Sequence, residues 1–314
     1  MAEQTPATNG LILKPKLKRP EDTHYLLAFN AQSTRLAVHS DGDSQVVVFD
    51  PHSGREVGRL VKIHHVVSMD FLSADVLLLV QQPHWKSSGW TPGRCVRWDL
   101  RRSKRDIVWE HEHLQCVAVS PKGRVVAFGA DQGIVLFDGV KKKILHQRKT
   151  GLPLYPERAL VSARGSYAAI GMCTERSSTS PRVVMVWDVE EARRHRTLEL
   201  NWDCLSGLAF HGDTLGMAVA TWHDVQVFEP DRGEDPVMVY EPEKPALAMQ
   251  FQEPGLLALL LDNGRRVFLR IKTGKVVRSV PPPTELVLVY AAANADWSMF
   301  AAPTAGGVFV WKAE

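Results

Sequence analysis

The sequence has little cysteine: four residues in 314, at Cys95, Cys116, Cys173 and Cys204, with no CxxC pair. That spacing excludes a zinc-binding module and a disulfide framework, and free thiols are expected. Long apolar runs are missing as well. LVLVYAAA (Leu286 to Ala293) is among the longest, and it falls far short of the roughly 20 residues a membrane helix needs. The opening MAEQTPATNG has no basic stretch followed by an apolar one. No secretory signal is therefore expected, and a cytoplasmic location is. The charges nearly balance: 38 Lys and Arg against 35 Asp and Glu leave a net charge of +3, which argues against an obligate nucleic-acid binder. GxSxG, P-loop, GxGxxG and HExxH patterns are all absent.

What the chain does have is repetition. CVAVSPKGRVVAFGADQGIVLFDG (Cys116 to Gly139) reads as three short strands separated by tight turns. Val117 and Val119 alternate with small residues, Pro121-Lys122-Gly123 turns the chain, and Val125 to Gly129 follow. A second turn at Asp131-Gln132-Gly133 leads to Ile134 to Phe137, and KKILHQRK (Lys142 to Lys149) makes a fourth strand. Period-two apolar patterning with Gly, Pro and Asp punctuation predicts antiparallel strands. Similar units start at Tyr25, Cys204 and Ala246.

The third strand of each unit usually ends in an aromatic followed by an acid: Phe49-Asp50, Trp98-Asp99, Phe137-Asp138, Trp187-Asp188 and Phe228-Glu229. Leu269-Arg270 and Trp311-Lys312 fill the last two slots more loosely. Successive slots are 49, 39, 50, 41, 41 and 42 residues apart. The two long intervals each contain an expanded turn, Gln82 to Gly93 and Thr174 to Arg182. Without these the period is about 40, the length of one four-stranded propeller blade.

The last unit lacks a fourth strand, while LILKPKLKR (Leu11 to Arg19) is a strand with no unit of its own. Its lysines and Pro15 suit an exposed edge. The N-terminal strand is therefore expected to complete the last blade and close a ring, which leaves only short, protected edges.

These marks resemble the WD-repeat β-propeller family across nearly the whole chain. The specific ones are Ser120-Pro121 with Gly123, the Trp-Asp pairs at 98–99 and 187–188, and acids in the second turn at Asp43 and Asp131. No Gly-His dipeptide opens any repeat, so the family's internal Asp-His network is expected to be largely absent. The expectation is an all-β, seven-bladed propeller of four-stranded antiparallel blades. Residues 1–10 form a disordered tail and 11–314 a single domain, with 11–19 as the closing strand. The blades fall near 24–61, 65–111, 114–149, 157–200, 204–241, 245–280 and 285–314.

In a propeller the first strand of each blade lines the central channel, where propeller enzymes place their ligands. Here those strands carry almost no ionisable groups. Asp70 is the main exception and reads as a turn cap, with Gln250 a weaker polar one. A hydrolase or lyase needs a paired acid and base or a metal shell, so no catalysis, cofactor or metal is expected. His111-Glu112-His113 is the nearest metal-like cluster and lacks a spaced third ligand; a solvated loop is the simpler reading. A propeller enzyme with a site near the channel mouth remains the alternative.

Up-and-down order sorts the loops onto two faces. One carries Arg101, Arg102 and Arg105, then Lys141, Lys142 and Lys143, then Arg193, Arg194 and Arg196, supported by Lys122, Arg124 and Arg164. This basic crescent would suit an acidic protein, nucleic-acid phosphates or an anionic lipid surface. The alternative is a set of solvated turns partly neutralised by Asp106, Glu190 and Glu191. The other face carries His84, Trp85 and Trp90 in the first expanded turn, with Tyr155, Trp202, Trp222 and His223 in other turns. Exposed aromatics make interface hot spots, although these also have an apolar rim to fold onto. A scaffold that docks one or more proteins, in a multi-subunit assembly, is the expected function. The resemblance implies the same, since WD-repeat propellers mostly act as docking platforms.

Overall fold

The aromatic of each aromatic-acid pair is a core residue, and the aspartate of four of the five pairs caps a turn. Phe49, Trp98, Phe137, Trp187 and Phe228 are all buried. Asp50 accepts the backbone N–H groups of His52 and Ser53 at 2.9 and 3.2 Å. Asp99, Asp138 and Asp188 accept from Arg102, Lys141 and Glu191 at 3.1, 2.7 and 2.8 Å. A short carboxylate that captures the N–H two or three residues on reverses the chain from third to fourth strand. At Leu269-Arg270 the same reversal uses a 3-10 turn over Ile271–Thr273, ended by Gly274 at φ 63°.

A computed structural model describes residues 10–14, 25–40, 44–86, 89–112, 114–130, 133–139, 141, 143–149, 155–173, 182–191, 193–200, 204–229, 233, 235–253, 255–282, 290–304 and 307–313. Their strands form seven antiparallel sheets of four strands, with one further two-stranded ribbon. The first strands of successive blades touch one another, so they surround the axis. Strands are called a to d from the axis outward. Blade two, for example, is Val66–Ser73, Val76–Gln81, Gly93–Asp99 and Lys104–His111. The protein is a seven-bladed all-β propeller.

Closure follows the expected route. Gly10–Leu13 pairs antiparallel with Gly307–Lys312, placing Leu11 opposite Val310 and Leu13 opposite Val308. Leu13 packs with Tyr25 and Val38 of blade one. The strand begins one residue earlier than expected, at Gly10. Its expected continuation over 15–19, the tail at 1–9, and most of blade seven's first strand (283–289) lie outside the described residues.

Each of seven apolar clusters fills the seam between two neighbouring blades. Alternation feeds two seams from one strand: Val46 and Val48 face blade two, while Val47 and Phe49 face blade seven. Strands b and c are buried on both sides. That is why they read as unbroken apolar runs such as VVVF and LLLV.

Polar contacts stitch the same seams. Asn30 donates to the Ala74 carbonyl at 3.1 Å, between blades one and two. Asp213 of blade five accepts from the hydroxyls of Ser162 and Ser166 in blade four, both at 2.6 Å. Gln250 of blade six donates to the Ala295 carbonyl of blade seven at 2.7 Å. Gly123, part of the Ser-Pro-x-Gly mark, has φ +66°, and a Cβ there would lie 2.1 Å from the Leu72 carbonyl of blade two. Only glycine allows this approach.

The loop sorting has direct support. The a–b and c–d turns bond to each other (Leu100 N–H to Asp75 O, Gly139 N–H to Arg124 O) on one face. The b–c and d–a turns do so (Ile63 N–H to Ser44 O, Gln82 N–H to His65 O) on the other.

Candidate functional site

The expanded b–c turn of blade two is a ribbon rather than a loop. His84–Lys86 pairs antiparallel with Gly89–Thr91, and Trp85 stands opposite Trp90 in register. Tryptophan and threonine favour extended backbone, which suits a ribbon of three residues a side. Trp90 is 45% exposed.

At the foot of the ribbon lies a cleft of about 500 Å³ in the seam between blades one and two. Ile63, Val96 and Ile107 give it apolar walls, and Lys62, His64, Gln81, His84, Arg94, Arg105 and Asp106 give it polar ones. Arg94 is paired with Glu110 at 2.7 Å, and Asp106 faces Arg97 at 3.5 Å. Lys62 and Arg105 have no ion-pair partner among the described residues.

The connection from Lys62 to His65 is strained and firmly tied. Lys62 and His65 have φ of 59° and 55°, and Ser44 beside them 50°. Left-handed backbone costs a residue with a side chain about 1–2 kcal/mol. Four bonds hold it: Ser44 Oγ with His64 Nδ1 (2.6 Å), Gln81 Nε2 to the His64 carbonyl (2.8 Å), and the two backbone bonds given above. The His65 ring lies 4.8 Å from that of His84, so connection and ribbon are in contact. Strain that the surroundings over-determine is concentrated at functional sites.

The remaining aromatic candidates do not join this site. Trp222 is 56% exposed and His223 is exposed beside it, but both stand on blade five, across the ring. Tyr155 is half-buried and opens strand a of blade four, opposite Cys173, rather than lying in a connection. A register shift after Pro156 lets pairing run further back than the apolar pattern suggests. Trp202 lies outside the described residues.

The basic residues are placed with mixed surroundings. Arg101 is exposed but pairs with Asp75 at 2.6 Å, and Arg193 pairs with Glu191. Arg102, Lys141, Lys143 and Arg194 are exposed. Arg196 reaches across to blade five, donating to the Glu229 and Gly233 carbonyls. Lys142 lies outside the described residues. Arg105 belongs to strand d, where it lines the cleft with Lys62 and Arg94.

In the channel, Asp70 is more than a turn cap. Its carboxylate accepts the Val119 N–H of blade three at 2.7 Å as well as the Phe71 N–H at 2.8 Å. Ser68, two residues earlier on the same side, bonds both the N–H and the carbonyl of Val117. Burial pushes the Asp70 carboxyl up to about 7, against the downward pull of the two N–H groups. Among the described residues its partners are backbone N–H groups, not a second acid or base. Among the described residues no three His, Cys, Asp or Glu side chains come together as a metal site, and His113 lies outside them.

No known protein-family model matches the chain, and no curated protein matches it at a significant level.

Proposed function

We propose that this chain is a non-catalytic interaction scaffold of the WD-repeat kind, docking a protein partner on the b–c and d–a face of blade two. The observation that carries this reading is the ribbon, which presents Trp90 45% exposed with Trp85 opposite it. A large aromatic on a rigid scaffold supplies contact area at low entropic cost, as interface anchors do. The propeller suits the role, since rigid blades hold such an insertion in place. The absence of a catalytic motif in the sequence supports a role without chemistry, as does the bonding of the Asp70 carboxylate to backbone N–H groups.

The test is site-directed photo-crosslinking in native lysate. A benzoylphenylalanine at position 90 should capture a discrete partner, and one at Val276, exposed on the outer strand of blade six, should not. Equal or absent capture at both positions would remove this face from consideration.

A further inference from the structure

We infer that the cleft at the foot of the ribbon receives a phosphorylated serine or threonine of the docked partner, a reading that rests on the proposed docking face. Charge is the first ground. Lys62, Arg94, Arg97 and Arg105 stand against Asp106 and Glu110, leaving two positive charges in excess. A phosphate monoester near neutral pH carries close to two negative charges, which matches this excess where a single carboxylate does not.

Donor supply is the second ground. The lysine ammonium and the Arg105 guanidinium have no ion-pair partner among the described residues, and Gln81, His64 and His84 stand in the same walls. Charge-assisted bonds to phosphate oxygens are the strongest that such groups make. Pre-organisation is the third. These side chains come from the d–a connection, the b–c turn and strands b, c and d, and the connection is held in left-handed backbone at Lys62 and His65. Holding the donors in place before binding lowers the ordering cost of capture.

The source of the phosphate follows from the surroundings. A single cleft holds one group, whereas nucleic acid needs a track of cations and stacking surfaces. A membrane needs a broad basic plane, and this cleft is set into a blade seam. Beside it stands Trp90, a surface for apolar residues flanking the modified one.

The experiment uses the full chain and two immobilised degenerate peptide libraries, one with a fixed central phosphoserine or phosphothreonine, the other with the unmodified residue. The wild type should retain the phosphorylated library about tenfold or more in preference, and Lys62→Gln/Arg105→Gln should abolish the preference. Both side chains are exposed, so the double variant should melt with the wild type; if it melts early, Arg105→Gln alone carries the comparison. Equal retention of the libraries, or a preference that survives the substitutions, overturns the inference. So does binding confined to phosphoinositide vesicles or a 12-nucleotide single strand, run in parallel. If crosslinking from position 90 captures a partner equally in the wild type and the double variant, docking stands and the phosphate inference falls. If the libraries behave as expected but position 90 captures nothing, the ribbon reading fails while the cleft stands.

Discussion

The side-chain amide of Asn294 donates to the hydroxyl of Ser33 at 2.8 Å, joining blade seven to blade one across 261 positions of sequence. The same amide bonds Ser298 Oγ at 3.0 Å, and its oxygen accepts the Met299 N–H at 2.9 Å. Asn294 is buried, so it serves its own turn and the closing seam at once. Asn30, one blade on, does the same for the seam between blades one and two.

Asn294→Ala should therefore cost about 1–3 kcal/mol, because it leaves the buried Met299 N–H without its partner. Ser33→Ala removes one bond at a more exposed site and should cost less. Urea denaturation of the three proteins gives the comparison. Equal midpoints for wild type and Asn294→Ala would show that the seam does not depend on this amide.

The closing strand supplies a second prediction. Leu13 is 2% exposed and lies in the cluster that fills the seam between blades seven and one, so Leu13→Ala should cost about 2–5 kcal/mol. Deleting residues 1 to 20 should lower the melting temperature by many degrees and uncover the edge of Gly307–Lys312 to association. A truncated protein that melts and elutes like the full chain would contradict the closure seen here.

Two carboxylates predict opposite pH dependences. Asp70 is raised to about 7 from an ordinary 3.8, so the folded state holds its proton more tightly than the unfolded one. Its contribution is fully present below about pH 4 and is lost as pH rises through about 7. Asp70→Asn, which imitates the protonated form, should flatten that decline in urea midpoints measured from pH 4 to 8.

For Asp213, burial alone would raise the carboxyl, but the bonds from Ser162, Ser166 and the Arg164 N–H outweigh it and hold it below the usual range. That contribution is present above the ordinary value of 3.8 and is lost as pH falls below it. Asp213→Asn should destabilise the protein at neutral pH and reduce the extra loss on acidification. An unchanged acid transition in this variant would rule out the seam contact as its source.

The thiols give a fourth test. None of the four cysteines is in a disulfide, and three are buried. Burial pushes the Cys116 thiol up to about 12 and Cys173 to about 11, so their thiolates are scarce at neutral pH. With a coloured disulfide reagent at neutral pH, Cys204 should react first in the native protein and all four after denaturation. Rapid native labelling of Cys95 would show that the second blade opens.

Sequence alone determined the repeat and its count, because the physics that writes each blade is local. An aromatic that fills a seam and an acid that captures the N–H two or three residues on are neighbours in the chain, so Trp98-Asp99 and Trp187-Asp188 announce their roles. The unpaired strand at one end and the missing strand at the other likewise announced closure. The tertiary structure alone decided what lies between blades. Lys62, Arg94 and Arg105 come from three segments, and only the stacking of blade two on blade one makes them one cleft. Asp70 reads as a strand-end cap until blade three brings the Val119 N–H to it. A period of about 40 residues describes each sheet, but a seam joins residues of different repeats, such as Asp70 and Val119, 49 positions apart. No local pattern encodes which of them meet.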